Sequence, residues 1–476
     1  MQSLMRRKPA SLEALEPHQR LKPSLSWWHL IPLGVGAIVG TGIYTLIGVG
    51  ANLAGPAVIA SFLVAGAVCA CAALAYAEVA TMIPASGSAY TYSYVALGEI
   101  FAWVVGWSLI LEYSLVVSAV AVGWSGYAVG FLSAVGVHLP AALSAGLYAG
   151  GLVNLPAIAI IAVVVGLLML GARESATVNA ALVGVKIVAL LVFIAVAAPH
   201  FQIANFQPFA PHGFIGPDVA GTRYGVMAAA AIIFFAFYGF DALSTAAEET
   251  KAPNRDLPIG IVGSMAVCTA LYIAVAAVAL GAMPAAAFAA SPEPLALILR
   301  QLGHGGVAFA IGAAAVIALP TVILAFLFGQ SRIFFVMARD GLLPAALAKV
   351  SARSGAPVRM TLVTGVLVAV LAGLAPLDQI ASLANAGTLV AFIAVSASML
   401  VLRRREPDAP RPYRTPLAWI VGPAAIGGCL YLFSSLRVKT WVFFALWNLA
   451  GLGLYGVWRL TQRGAAAAPQ SGGDDG

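Results

Sequence analysis

Charge is what this chain has least of. Only 9% of its 476 residues are Asp, Glu, Lys or Arg, while 61% are hydrophobic and the mean hydropathy is +0.96. No soluble domain hides that much apolar surface, so the chain reads as a polytopic membrane protein. Cysteine is scarce as well. Cys69, Cys71, Cys268 and Cys429 all lie inside apolar runs, as small buried hydrophobes rather than a disulfide frame or a metal site. The six histidines (His18, His29, His138, His200, His212, His304) fall in loops or at span ends without paired ligand spacing, so neither a metal-dependent enzyme nor a cofactor is expected. A Gly-Lys-Ser/Thr phosphate loop is missing, which disfavours a nucleotide-driven pump. So is the charged ring or repeated filter loop that a channel needs. Residues 1–28 are polar and basic, and the first apolar run is too long for a cleavable leader. The net charge of +7 calls for no nucleic acid, because basic residues gather on the cytoplasmic side of membrane proteins.

What the chain does have is apolar runs of membrane-crossing length. Twelve are expected, near 29–48, 56–77, 100–131, 153–171, 176–198, 225–247, 259–282, 305–337, 360–375, 378–402, 417–434 and 440–460. The third and eighth exceed one upright span, so each is tilted or carries an interfacial extension. With the N-terminus inside, twenty Lys/Arg fall on the cytoplasmic side and four outside, with Lys186 left within a span. The inside set includes Arg6, Arg7, Lys8, Arg20 and Lys22 of the tail and the run Arg403 to Arg405. The outside set is Arg223, Arg300, Arg437 and Lys439. This split puts both termini in the cytoplasm. Residues 1–28 form a cytoplasmic tail, 29–462 the core and 463–476 a low-complexity tail expected to be disordered. A short surface helix or a plain loop is expected over 339–350.

Two runs are anomalous. The first carries Gly34, Gly36, Gly40 and Gly42 within nine residues, closing on Ile43-Tyr44. The spacing is no dinucleotide fingerprint, and no β-α-β unit surrounds it. Gly36 to Gly40 fits a small-residue packing face, or an unwound stretch exposing amides and carbonyls. The sixth run carries Tyr238-Gly239-Phe240-Asp241 at membrane depth and ends in a charged, Pro-punctuated loop, Glu248 to Pro258. A spanning helix holds a glycine and an acid there when its backbone or that acid has a task. Spans one to five (about 29–198) and six to ten (about 225–402) each open on such a helix. Five is odd, so the second block enters from the opposite side. That is the layout of an inverted repeat whose broken helices meet at the midplane, followed by two extra helices over 417–460.

The residues GVGAIVGTGIY (Gly34–Tyr44), PASGSAY (Pro84–Tyr90), ILEY (Ile110–Tyr113), FFAFYGFDALSTAAEETKAPNRDLPIGI (Phe234–Ile261) and RIFFVMARDGLLP (Arg332–Pro344) resemble the amino acid–polyamine–organocation superfamily, in particular bacterial members of its cationic amino acid transporter branch. The resemblance covers about 29–460. It implies an all-α, five-plus-five inverted-repeat fold with two added helices, and amino acid transport across the cytoplasmic membrane. Animal members of the branch carry fourteen spans, so their strict preference for cationic substrates is not carried over.

In such a site the carboxylate of an amino acid suits the amides of Gly40, Thr41, Gly42 and Ile43 at the start of a half-helix. The ammonium suits unwound carbonyls near Ala37 and Ile38 and at Phe235, Ala236 and Tyr238, where the resemblance also points. Phe235 and Tyr238 are candidates for an aromatic lid. Three ionisable residues lie within spans. The resemblance places Lys186 where sodium-coupled relatives hold an ion, its ammonium near the carbonyls of Gly34 and Gly36. Glu112 faces the cavity, favouring cationic substrates or relaying protons, and Asp241 steadies the unwound segment. Structural charges with buried partners are the alternative for all three. The expected activity is proton-driven amino acid import, with exchange by the same fold as the alternative and membrane lipid as the surroundings. A nutrient-sensing receptor is disfavoured by the small loops.

Overall fold

In lipid each backbone N–H and C=O must be satisfied within its own segment, so apolar runs of this length fold as helices. The computed structural model describes residue 7 and residues 25–85, 87–169, 176–219, 222–247, 250–344 and 358–467. Most of both tails lies outside these residues, as do 345–350 of the expected surface helix and parts of two motifs, Ser86 and Glu248-Glu249.

The first run is split into α1 (Trp27–Ile38), α2 (Thr41–Tyr44) and α3 (Leu46–Ala54); α4 (Val58–Met82) follows. The short helix α5 (Ser88–Ala96) leads into α6 (Glu99–Ala134), then α7 (Leu155–Met169) and α8 (Ala176–Ala197). The sixth run is split into α9 (Val226–Ile233) and α10 (Phe240–Ser244), and α11 (Pro253–Ala282) follows it. The eighth is α12 (Gly305–Ala318) and α13 (Pro320–Arg339). The chain then continues as α14 (Val358–Leu374), α15 (Leu377–Arg405), α16 (Ala418–Ser434) and α17 (Val438–Ala467). Among the described residues, eight segments are long and apolar enough to cross a membrane, with four shorter apolar helices beside them.

Each expected run is helical. The first reaches Ala54, where Gly55 (φ +62°) turns the chain. The long third run is a single helix of 36 residues, about 54 Å at 1.5 Å per residue, which a hydrocarbon layer of about 30 Å accommodates by tilt. The eighth is interrupted where Pro320 starts a new helix. A proline cannot donate to the preceding turn. The last helix continues to Ala467, past the expected end at 460 and into the segment expected to be disordered. The helix α5 was not anticipated, and all nine of its residues are buried.

The helices pack in two groups. In one, α1 and α4 lie against α11, and α9 against α4. In the other, α6 packs on α13 and α14, and α14 on α7. Two helices bridge the groups: α8 touches α1, α11 and α12, while α15 touches α4 and α6. Each broken helix thus sits beside the helix that follows the other break, in the opposite half of the chain. The face carrying residues 198–225 is called the upper face below, and the opposite one the lower face.

Candidate functional site

Val39 (φ −74°, ψ 93°) and Gly40 (φ −139°, ψ −150°) are extended, and this interrupts the first span. In the sixth span a short 3₁₀ turn, Phe234–Ala236, gives way to Gly239 at φ +124°. A side chain is strained at that angle. The two breaks meet. A Cβ on Gly239 would lie 2.8 Å from the Ala37 carbonyl carbon, and one on Gly42 would overlap the Cα of Ala236. Each break therefore has a glycine where the other's backbone passes.

Freed backbone groups at this depth need partners. The Lys186 ammonium, on a fully buried side chain, donates to the Gly36 carbonyl at 2.9 Å and to Thr321 Oγ1 at 2.8 Å. The Tyr272 hydroxyl donates to the Ile38 carbonyl at 2.8 Å. Lys186 therefore reaches the lower half-helix as expected, through Gly36. At the other break, Asp241 Oδ1 accepts the Gly239 N–H at 2.9 Å and Oδ2 accepts the Tyr113 hydroxyl at 3.2 Å. Asn385 donates to the Ala231 carbonyl at 2.6 Å. Asp241, in the first turn of α10, thus satisfies the N–H of Gly239, the residue that opens that helix.

Between the breaks lies a cavity of about 10 Å³, lined by Ala37, Ile38, Gly40, Thr41, Gly42, Phe235 and Tyr238 and, opposite, by Val116, Val120, Val322 and Phe326. That is room for about one water, so the site is shut around nothing larger. Of the sequence candidates, Ile38, Gly40, Thr41, Gly42, Phe235 and Tyr238 line it. Ile43 does not, and Ala236 packs against Gly42 instead. Phe235 and Tyr238 rest edge to face with centroids 4.9 Å apart. The aliphatic wall went unforeseen because valines on a spanning helix look alike. One signal was present: Val116 and Val120 follow Glu112 at four-residue spacing, on one helix face.

Glu112 is fully buried one turn below Val116, and neither carboxylate oxygen has a hydrogen-bond partner among the described residues. Thr388 is close enough to interact with it, yet its hydroxyl donates to the Ala384 carbonyl at 3.3 Å. Buried orphans of this kind are rare. The Tyr238 hydroxyl is another, and its surroundings include Glu112 and Asp241.

The two faces differ. Above the cavity a vestibule of about 1020 Å³ opens, its walls including Thr45, Gly123, Glu293, Arg300, Asp378 and Arg437. Below, among the described residues, buried ion pairs tie the helices together. Glu78 on α4 takes Arg403 Nε and Nη2 at 2.8 and 2.6 Å and the Thr415 N–H at 2.7 Å, with Arg411 at 3.6 Å. Glu99 takes Arg459 at 2.9 Å and the Tyr455 hydroxyl at 2.6 Å.

Two helices broken in register and crossing at their glycines make a fold-level signature, and comparison with known proteins agrees with it. Residues 25–455 match the model of the amino acid permease family. The chain belongs to that family. It is similar to the branched-chain amino acid permease BcaP of Bacillus subtilis (strain 168), 47% identical over 93% of this chain and 94% of the relative. It is also similar to the methylthioribose transporter of the same organism, 42% identical over 96% and 97%. The vacuolar cationic amino acid transporter 4 of Arabidopsis thaliana is 37% identical over 86% and 68%. The chain is thus an all-α, multi-pass transporter of the amino acid permease family.

Proposed function

We propose that this permease imports a neutral aliphatic amino acid by proton symport, binding it where the two broken helices cross. The observation that carries the substrate class is the cavity wall: Val116, Val120, Val322 and Phe326 face the breaks, and the described lining holds no charged side chain. The carboxylate meets the amides of Gly40, Thr41, Gly42 and Ile43 at the positive end of the upper half-helix. The ammonium meets carbonyls of the unwound stretches at Ala37 and at Phe235, Ala236 and Tyr238. The Ile38 carbonyl already has Tyr272, which leaves Ile38 to the site as a wall. A cationic side chain would lose its hydration against this wall without a partner.

Protons couple at Glu112 and Lys186, and Asp241 acts by keeping the sixth-span break in shape. Glu112 is the acceptor because its carboxylate is buried near Tyr238 with no hydrogen-bond partner among the described residues. Lys186 holds or releases the lower half-helix through the Gly36 carbonyl. The repeats run over about 29–198 and 225–402, both termini lie in the cytoplasm, and the upper face is outside. Cysteines placed one at a time at Asn52 and Arg404 check the orientation. A membrane-impermeant thiol reagent applied to cells should label the first and spare the second.

Proteoliposomes test the activity. An imposed inward proton gradient should drive accumulation of radiolabelled isoleucine, with unlabelled valine and leucine competing and lysine and methylthioribose failing to compete. Accumulation that needs sodium sinks the symport reading. Uptake seen only as counterflow against internal amino acid points to exchange. Competition by lysine or methylthioribose alone overturns the substrate class.

A further inference from the structure

The first span is interrupted twice. One turn above Gly40 the helix kinks at Thr45 (φ −125°, ψ −46°), and the Tyr127 hydroxyl donates to the adjoining Tyr44 carbonyl at 2.7 Å. Thr41 and Thr45, four residues apart on one face, both rest on α6 at Gly123. A methyl group there would overlap Thr41 Cγ2 and lie 3.3 Å from Thr45 Oγ1. Thr41 lines the central cavity and Thr45 the vestibule. Both hydroxyls are buried without a partner among the described residues. A helical threonine ordinarily returns its hydroxyl to a carbonyl one turn back, and these two do not. Such an orphan is costly unless something meets it.

The same α6 face continues upward. Two turns on, about 10 Å along the axis, Gly130 is bare, and a methyl group there would overlap the Glu293 carboxylate. Glu293, its side chain 11% exposed, holds Arg300 at 2.5 Å, and Arg300 is 40% exposed. An oppositely charged pair seated on bare helix at the top of an open vestibule matches a free amino acid, which carries both charges. The second pair of the vestibule, Asp378–Arg437 at 2.7 Å, ties α15 to the segment before α17 and lacks that seat.

We propose that the vestibule holds a second amino acid subsite, with the ammonium on Glu293, the carboxylate on Arg300, and Thr45 as the polar contact on its floor. From there the amino acid passes the Thr41–Gly123 contact into the central cavity. The subsite rests on the reading of that cavity as the transport site, and it concerns capture before translocation.

Equilibrium binding of tritiated isoleucine to the intact purified protein tests it. The unaltered protein should bind two molecules per chain. Glu293→Gln, which keeps the side chain's shape, should bind one and raise the uptake KM about tenfold, as for loss of one charge-assisted contact. Gly130→Ala, which lifts the carboxylate off the helix, should do the same and guards against a folding artefact in the first variant. Thr45→Val should slow uptake while two molecules still bind, with Thr45→Ser restoring the rate. A single bound molecule in the unaltered protein, or two in Glu293→Gln and Gly130→Ala, overturns the subsite and leaves the central site standing. No bound isoleucine at all overturns both. Uptake by Thr45→Val at the unaltered rate removes Thr45 from the path.

Discussion

Lys186 is joined to Tyr44 through its main chain: the Tyr44 hydroxyl donates to the Lys186 carbonyl at 3.1 Å. The same residue's ammonium holds the Gly36 carbonyl. One residue of α8 thus grips both halves of the broken first helix, the upper by backbone and the lower by side chain. Only the lower grip depends on charge.

That asymmetry sets the first expectation. Lys186→Ala removes the hold on the lower half and keeps the Tyr44 link. Isoleucine should still bind, while gradient-driven accumulation falls to the equilibrium level in proteoliposomes. Undiminished proton-driven accumulation by the variant sinks the gating role.

The lower face supplies a stability test. The Glu78 side chain is fully buried between Arg403, Arg411 and the Thr415 N–H. Removing one partner of such a network leaves uncompensated buried charge and costs about 3–5 kcal/mol. Glu78→Ala should melt well below the unaltered protein in detergent. Thiol reagents added from the lower side should also reach a cysteine at Thr91 on α5 more readily. An unchanged melting temperature would mean the network is water-filled and weak.

At the sixth-span break, Gly239→Ala meets two penalties, a side chain at φ +124° and a methyl group 2.8 Å from the Ala37 carbonyl carbon. It should abolish binding, whereas Asp241→Asn should retain it, because an amide oxygen still accepts the Gly239 N–H. Isothermal titration with isoleucine separates the two. Equal loss in both would assign Asp241 a charge-dependent role.

The helices and their breaks were legible because lipid leaves so few backbone solutions: Gly34 to Tyr44 and Tyr238 to Asp241 stood out against long apolar runs. The cavity wall was not. Val116 and Val322 are ordinary spanning residues until the chain folds back and places them opposite the breaks. Gly42 shows the same limit. Sequence marks it as an amide open to the substrate carboxylate, and the structure brings Ala236 against it, so Gly42→Val wedges the crossing apart. The kink at Thr45 gave no glycine or proline to announce it.

Acid should empty the vestibule. Burial pushes the Glu293 carboxyl above its ordinary value of 4.5, with Arg300 opposing the shift. Tyr127 on α6 senses the pair, and Asp378 and Arg437 share the vestibule. Because the folded pKa is raised, charging Glu293 costs the fold stability, and that cost disappears as pH falls through the raised pKa. The same protonation removes the ammonium's partner. As pH falls through the raised pKa toward 4.5 the second isoleucine should be lost, and the melting-temperature gap to Glu293→Gln should narrow. Binding of the second molecule that persists unchanged below 4.5 contradicts the assignment.

The central cavity measures about 10 Å³, far less than an amino acid side chain occupies. Every occupant must therefore wedge two helices apart before it touches the aliphatic wall, and its measured affinity is the contact energy less that opening work. Discrimination then depends on girth as much as on chemistry. A slender side chain binds loosely because it gains little contact for the opening it forces. A thick one meets a rising mechanical resistance.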